Sequence, residues 1–330
     1  MSAKHPKDLI LEANEAVASA SYNPKKLALI HTGIAAGANF VVALLTYLLG
    51  SGIGNPEGLT GMNLQVALET AQSILQIAVS MAGPFWAMGF VAAILPMARR
   101  QHTDCRNLLQ GFRHWGAVLR TLLLQGVMYF AVILACGQIG SLLYTLTPFS
   151  AQLTELVTQM SMSGDMDTAA LTAMLMELDQ ATLMRIFWSM LPFLALPVLI
   201  AVVILSYRLR LSQYILMDKP QMGALFATFG SIRLTKKNCL RLLKLDLRFW
   251  WFYALEMLIA VVCYGDLILP MLGVDLGMNE MLASFLFYAL GLALQIGLYA
   301  WQKPRIIASY GLFYDDLLPK ENEDLTQVEL

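Results

Sequence analysis

The sequence predicts an all-α fold: a polytopic membrane helix bundle with about six transmembrane helices and two cytoplasmic interfacial amphipathic helices. Three observations carry that prediction. Hydrophobic residues make up 58% of the 330 and charged residues only 14%, a balance outside the range of soluble domains. Six apolar runs are each long enough to cross a bilayer, which takes roughly 20 residues for about 30 Å of hydrocarbon. All but one of the 22 Lys and Arg residues fall in alternate gaps between those runs. Beside that segregation the net charge of -1 says little.

Residues 6–20 read as a surface helix, with Leu9, Ala13, Ala16 and Ala20 on one side and Asp8, Glu12 and Glu15 on another. It ends at Ser21-Tyr22-Asn23-Pro24, where proline disfavours helix for the residue before it. The expected organisation is a cytoplasmic N-terminal amphipathic helix at 1–26, a six-span transmembrane domain at 27–302 and a cytoplasmic acidic tail at 303–330. The spans are expected near 27–50, 74–97, 117–142, 186–205, 249–269 and 281–301. The first is too long for a signal-peptide core and lacks a small-x-small exit, so it is expected to remain as an anchor.

Lys4, Lys7, Lys25 and Lys26 precede the first span, and Arg99, Arg100, Arg106, Arg113 and Arg120 follow the second. After the fourth come Arg208, Arg210, Lys219, Arg233, Lys236, Lys237, Arg241, Lys244 and Arg248, and the tail adds Lys303, Arg305 and Lys320. The positive-inside rule makes these segments cytoplasmic, in a multi-pass protein with both termini inside. The other gaps carry Glu57, Glu69, Glu155, Asp165, Asp167, Glu177, Asp179, Asp275 and Glu280, with Asp266 at a border and Arg185 as the one base. An odd number of spans would break this alternation. Trp86, Trp115, Trp188, Trp250, Trp251 and Trp301 fall near span boundaries, where amphipathic rings anchor.

In the gap after span two, Cys105, Leu108, Leu109, Phe112 and Trp115 share a helical face. After span four, Met222, Leu225, Phe226 and Phe229 share another, opened by Pro220. Both are expected to lie along the inner leaflet, with Arg99, Arg100, Arg106, Arg113, Arg233, Lys236, Lys237 and Arg248 as candidate lipid-headgroup contacts. Pro84-Phe85-Trp86-Ala87 leading to Arg99-Arg100 parallels Pro192-Phe193-Leu194-Ala195 leading to Arg208-Leu209-Arg210. Duplication and shared membrane grammar both account for that likeness. The outer segment from Thr147 to Met184 reads as two short helices rich in methionine, too small for an enzyme domain.

Glu256 is the acidic residue well inside a span, and such a group marks either a proton or substrate route or a hydrogen-bonded packing contact. Asn39, Gln76, Gln125 and Gln295 are its candidate polar neighbours. Gly33-x-x-x-Gly37 and the series Ala289, Ala293 and Gly297 allow close helix approach, within the bundle first and between protomers second. His102, Cys105 and His114 are too irregularly spaced to predict a zinc site. Met160, Met162 and Met166 fit an amphipathic interface better than a copper cluster. Cys105, Cys136, Cys239 and Cys263 lack a paired spacing, so no disulfide framework is expected. No catalytic constellation, phosphate loop, cofactor motif or nucleic-acid surface stands out.

Four segments resemble a known family. They are Leu9-Ile10-Leu11-Glu12-Ala13-Asn14-Glu15-Ala16 with Asn23-Pro24-Lys25-Lys26; Gly83-Pro84-Phe85 through Arg99-Arg100 to Leu108-Leu109-Gln110-Gly111-Phe112; Leu225 to Trp251; and Lys303-Pro304 through Ala308-Ser309-Tyr310 to Phe313-Tyr314-Asp315-Asp316-Leu317. Together they are similar to the YciC-like bacterial membrane proteins of six spans, a domain-of-unknown-function family distantly similar to the membrane domain of some glycerophosphodiester phosphodiesterases. The resemblance implies a fold and the bacterial cytoplasmic membrane, and no catalytic residues. The expectation is a non-enzymatic envelope component that associates with membrane lipids, a protein partner or a second copy of itself. The alternative is a small-solute or proton-coupled transporter using Glu256.

Overall fold

The computed structural model describes residues 4–50, 59–147, 150–151, 180–271, 277 and 279–318. The Met-rich stretch with Met160, Met162, Met166, Met174 and Met176, and the acidic end of the tail, lie outside them. Helix is the only regular structure among the described residues. In chain order the α-helices are α1 (Pro6–Ala18), α2 (Pro24–Gly50), α3 (Leu59–Ala98), α4 (Gln110–Arg113), α5 (Trp115–Thr145), α6 (Gln180–Leu209), α7 (Ser212–Asp218), α8 (Gly223–Thr235), α9 (Cys239–Asp246), α10 (Trp250–Cys263), α11 (Gly265–Met271) and α12 (Glu280–Leu317). Among the described residues, five helical stretches are long and apolar enough to cross a membrane: Pro24–Tyr47, Glu69–Ala98, Trp115–Thr145, Trp188–Asp218 and Leu282–Leu317. The protein is an all-α, multi-pass membrane bundle.

The sixth crossing departs from the expected straight span at 249–269. The run Cys239–Cys263 meets Gly265–Met271 at a bend of 75°. At the break the Tyr264 amide is shared between the carbonyls of Ala260 and Val261, the tightening that ends a helix. Gly265 lets Phe287 come closer than a side chain would allow, and Pro270 withholds one helical donor from the short helix beyond. Parity then decides whether the bent pair crosses. Arg99 at the end of α3 is bonded to Asp218 at the end of α7 and to Asp315 near the end of α12. The chain must therefore return to one face between residues 218 and 315, so the bent pair and α12 cross in opposite senses.

The chain divides into two compact units, Met1–Thr121 with Leu211–Leu330, and Leu122–Arg210. In the second, α5 and α6 approach closely at Gly140, where an added Cβ would lie 2.3 Å from the Phe193 carbonyl oxygen. Tyr144 and Ser189 pair their hydroxyls nearby at 3.3 Å. Val127, Phe130, Leu134, Leu196, Leu199 and Val203 are exposed, as suits a surface that meets hydrocarbon.

In the first unit, α1 keeps its charged side exposed, as expected of a surface helix, and turns its apolar side to protein. Leu9 and Ala13 are fully buried, with Ala16 and Val17 nearly so, and α1 packs against α3, α9 and α12. Its apolar side is mostly alanine, which favours close helix approach over immersion in lipid. The helix that carries the last span does not stop at 301: α12 runs through Pro304 to Leu317, burying Ile306, Ala308, Tyr310, Phe313 and Tyr314. One hydrogen bond lost at a proline is outweighed by that burial.

The amphipathic helix expected after span two is instead a compact turn. A 3-10 segment at Cys105–Leu109 leads into the four-residue α4, and both dock onto α3 through glycines. A Cβ on Gly89 would lie 1.9 Å from the Leu108 carbonyl oxygen, and one on Gly111 would lie 2.0 Å from that of Phe85. The second copy of the Pro-Phe motif has different surroundings, since Phe193 meets Gly140 of the preceding helix. Gly33, Gly37 and Gly297, expected to mark close helix approaches, have open space where a Cβ would stand. Gly111→Ala and Gly89→Ala are each expected to destabilise the purified protein by about 1–3 kcal/mol, the usual cost of overpacking. Gly37→Ala is the neutral control, and thermal unfolding in detergent makes the comparison.

Candidate functional site

Parts of all four base-rich segments, Lys4, Arg99, Asp218 with Arg241, and Asp315 with Asp316, meet in the first unit, and carboxylates hold them together. The end of α3 is a Schellman-type stop, with Arg100 N–H bonded to Met97 O at 2.9 Å and Gln101 N–H to Pro96 O at 2.8 Å. Arg100 takes the left-handed conformation there, φ 58, a position more often given to glycine. This places Arg99 at the cap, facing inward. Its Nη1 donates to Asp218 at 2.5 Å, its Nη2 to Asp315 at 2.7 Å and its Nε to both Asp315 oxygens. Tyr314 donates its hydroxyl to the other Asp218 oxygen. Hydrogen bonding to Asp315, reinforced by Asp218, pushes the Arg99 pKa above its ordinary value.

A second clamp joins these segments. Arg241 on α9 donates to the Lys4 carbonyl and, at 2.5 Å, to Asp316, with its guanidinium over the Phe313 ring. Lys4 in turn pairs with Glu12 at 2.7 Å. Sequence reasoning missed Asp218, Asp315 and Asp316 as partners. Their signal was their position, as acids within otherwise basic segments.

The candidate headgroup contacts divide accordingly. Arg99 is taken out of that set by its two carboxylates. Arg100 reaches Glu15 at 3.6 Å and Arg106 reaches Asp104 at 3.9 Å, both loosely and in solvent. Arg113, Arg233, Lys236 and Lys237 are exposed, and Arg248 is half-buried. Around them the apolar faces point outward. On α8, Ala224, Ala227, Thr228, Ser231 and Thr235 are buried, whereas Leu225, Phe226 and Phe229, with Met222 just before, stand exposed. Leu109, Phe112 and Trp115 are exposed beside α4.

Within the spans, Glu256 accepts a hydrogen bond from the Tyr299 hydroxyl, which also accepts from Gln295 at 3.3 Å. Lys303 lies over the Tyr299 ring, 4.1 Å from its centroid, within electrostatic reach of Glu256 and His31. Of the expected neighbours, Gln295 joins the group. Asn39 instead bonds the Ala35 carbonyl on its own helix, Gln76 is exposed, and Gln125 belongs to the other compact unit.

His31 was not foreseen. Its ring stacks on Phe90 and Trp86, both its nitrogens are buried without a hydrogen-bond partner, and its carbonyl accepts from the Trp86 indole at 2.9 Å. Trp86 thus packs against His31 of α2. Trp115, Trp188, Trp250 and Trp301 are exposed.

Comparison with profiles of known families, with curated proteins and with solved structures finds no match to this chain. The geometry alone therefore supports a functional reading.

Arg99→Ala would leave Asp218 and Asp315 facing each other without a counterion. We expect a loss of about 2 kcal/mol or more, because an unpaired buried charge costs more than a missing pair. Neutralising both acids in the same chain, with Asp218→Asn and Asp315→Asn, should restore part of it. Unfolding of the single and triple variants distinguishes charge imbalance from lost packing.

Proposed function

We propose that this protein is a non-enzymatic component of the bacterial cytoplasmic membrane whose basic layer faces the cytoplasm and associates with anionic lipid or a membrane-bound partner. The observation that carries this reading is the reversed amphipathicity of α8, with small and hydroxyl residues inward and large apolar ones outward. Leaving such side chains in water would cost about 1.5–3 kcal/mol each, so an apolar medium on that side is the economical explanation. Arg233, Lys236 and Lys237 follow immediately, as in helices that lie in a headgroup region. Kinship with the YciC-like proteins belongs to the same proposal. It is supported by the closing motif, whose Tyr310, Phe313, Tyr314 and Asp315 pack and pair at the base. The combined reversal R106E, R113E, K236E and K237E should sharply reduce co-purification of anionic lipid or partner, at about 1 kcal/mol per base before its sign is reversed. Unchanged co-purification would remove the basis of the proposal.

A second reading, transport of a small solute or protons, draws on Glu256 and His31 within the spans and on Lys303 at the end of one. It predicts that Glu256→Gln abolishes pH-dependent flux in proteoliposomes while the protein stays folded. If no flux distinguishes wild type from this variant, Glu256 serves packing through Tyr299.

A further inference from the structure

A recess of about 560 Å³ lies where the turn between α1 and α2 meets α12. Its lining includes Asn14, Ser21, Asn23, Lys25, Trp301 and Arg305, and no acidic residue among the described residues. Neither Lys25 nor Arg305 has an ion-pair partner among the described residues. Two cations bordering one recess without a carboxylate contrast with Arg99 and Arg241, each of which has its acid. The volume lies within the roughly 300–1,000 Å³ typical of small-ligand sites.

We infer that this recess binds the phosphate-bearing headgroup of an anionic glycerophospholipid. Lys25 and Arg305 supply the charge, and Asn14 and Ser21 supply polar groups for the glycerol oxygens. The end of α2 is not itself the receptor. Asn23 already accepts from the amides of Lys25 and Lys26, at 3.0 and 3.4 Å, and Pro24 has no amide hydrogen.

A lipid is favoured over a soluble phosphate by what lies above the recess. Trp301 is half-exposed, its ring 5.6 Å from that of Trp251, a pairing suited to the junction of headgroups and hydrocarbon. One turn into the span from Lys25, on the same face of α2, Leu29 is exposed. Two turns into the span from Trp301, on the same face of α12, Leu294 is exposed. Acyl chains could therefore follow α2 and α12 while the phosphate remains between the cations.

The inference rests on the lipid-associated reading only in drawing its ligand from the bilayer, because none of the four bases reversed above lines the recess. The full-length protein would be reconstituted in phosphatidylcholine nanodiscs containing phosphatidylglycerol, then extracted gently for native mass spectrometry. Wild type and the four-base reversal should both retain phosphatidylglycerol in preference to phosphatidylcholine. K25A/R305A should bind it roughly thirtyfold more weakly, corresponding to about 1 kcal/mol for each cation. K25R/R305K should keep it, and K25Q/R305Q replaces the alanine pair if that protein does not fold. Equal retention of the two lipids, or full retention by the folded neutral variants, overturns the inference. Displacement by millimolar glycerol 3-phosphate overturns it in favour of a soluble phosphate ligand.

Discussion

The guanidinium of Arg99 ends α3 and holds Asp218 at the end of α7 and Asp315 near the end of α12, so three stretches far apart in sequence close on one cation. Arginine suits the position because its planar fork can address two carboxylates at once, which a lysine ammonium cannot do with fixed geometry. The positive φ of Arg100 turns the chain away directly after it, leaving the guanidinium among the acids. Around this pairing the short helices find their places, and the Arg241 clamp ties in the N-terminal segment and Asp316. Remove the charge balance there, and the ends of three spanning stretches lose their common registration.

Much of this architecture is legible in the sequence because membrane insertion depends on composition. Long apolar runs and segregated bases indicate the crossings without knowledge of a single contact. What the runs conceal is where a helix stops. Lys303, Pro304 and Arg305 look like the end of a span, yet α12 continues because Ile306, Ala308, Tyr310 and Phe313 have a protein surface to bury against. Cys239 to Met271 looks like a single entry and crossing, yet Gly265 and Pro270 bend it. In both cases tertiary packing decided between conformations that the local pattern allowed.

The site was less legible, for a related reason. A base near a membrane face reads as a headgroup contact unless its acid can be seen, and the acids that occupy Arg99 and Arg241 lie far away in sequence. Glu256 was visible because an acid within an apolar run is unusual. Its partner Tyr299 and neighbour Lys303 were not, because nothing in either run specifies the rotation of α10 against α12. His31 was overlooked because a histidine among apolar residues gives no periodic signal. Its stacked surroundings became apparent only when α2 and α3 were brought together.

The bases of these segments fall into two kinds, and the distinction follows from where folding leaves them. Arg99 and Arg241 are partly withdrawn from solvent, where an unpaired charge is costly, and both have close carboxylate partners. Arg113, Arg233, Lys236 and Lys237 lie outside, where solvent lowers that cost and no acid is required. Lys25 is exposed like these and Arg305 is half-buried like Arg248, but the two border one recess that no acid among the described residues lines. An anion from outside the chain would relieve the repulsion between two cations so placed. Under the inference that the recess lies where α2 and α12 leave the hydrocarbon, lipid phosphate is the nearest abundant supply of that charge.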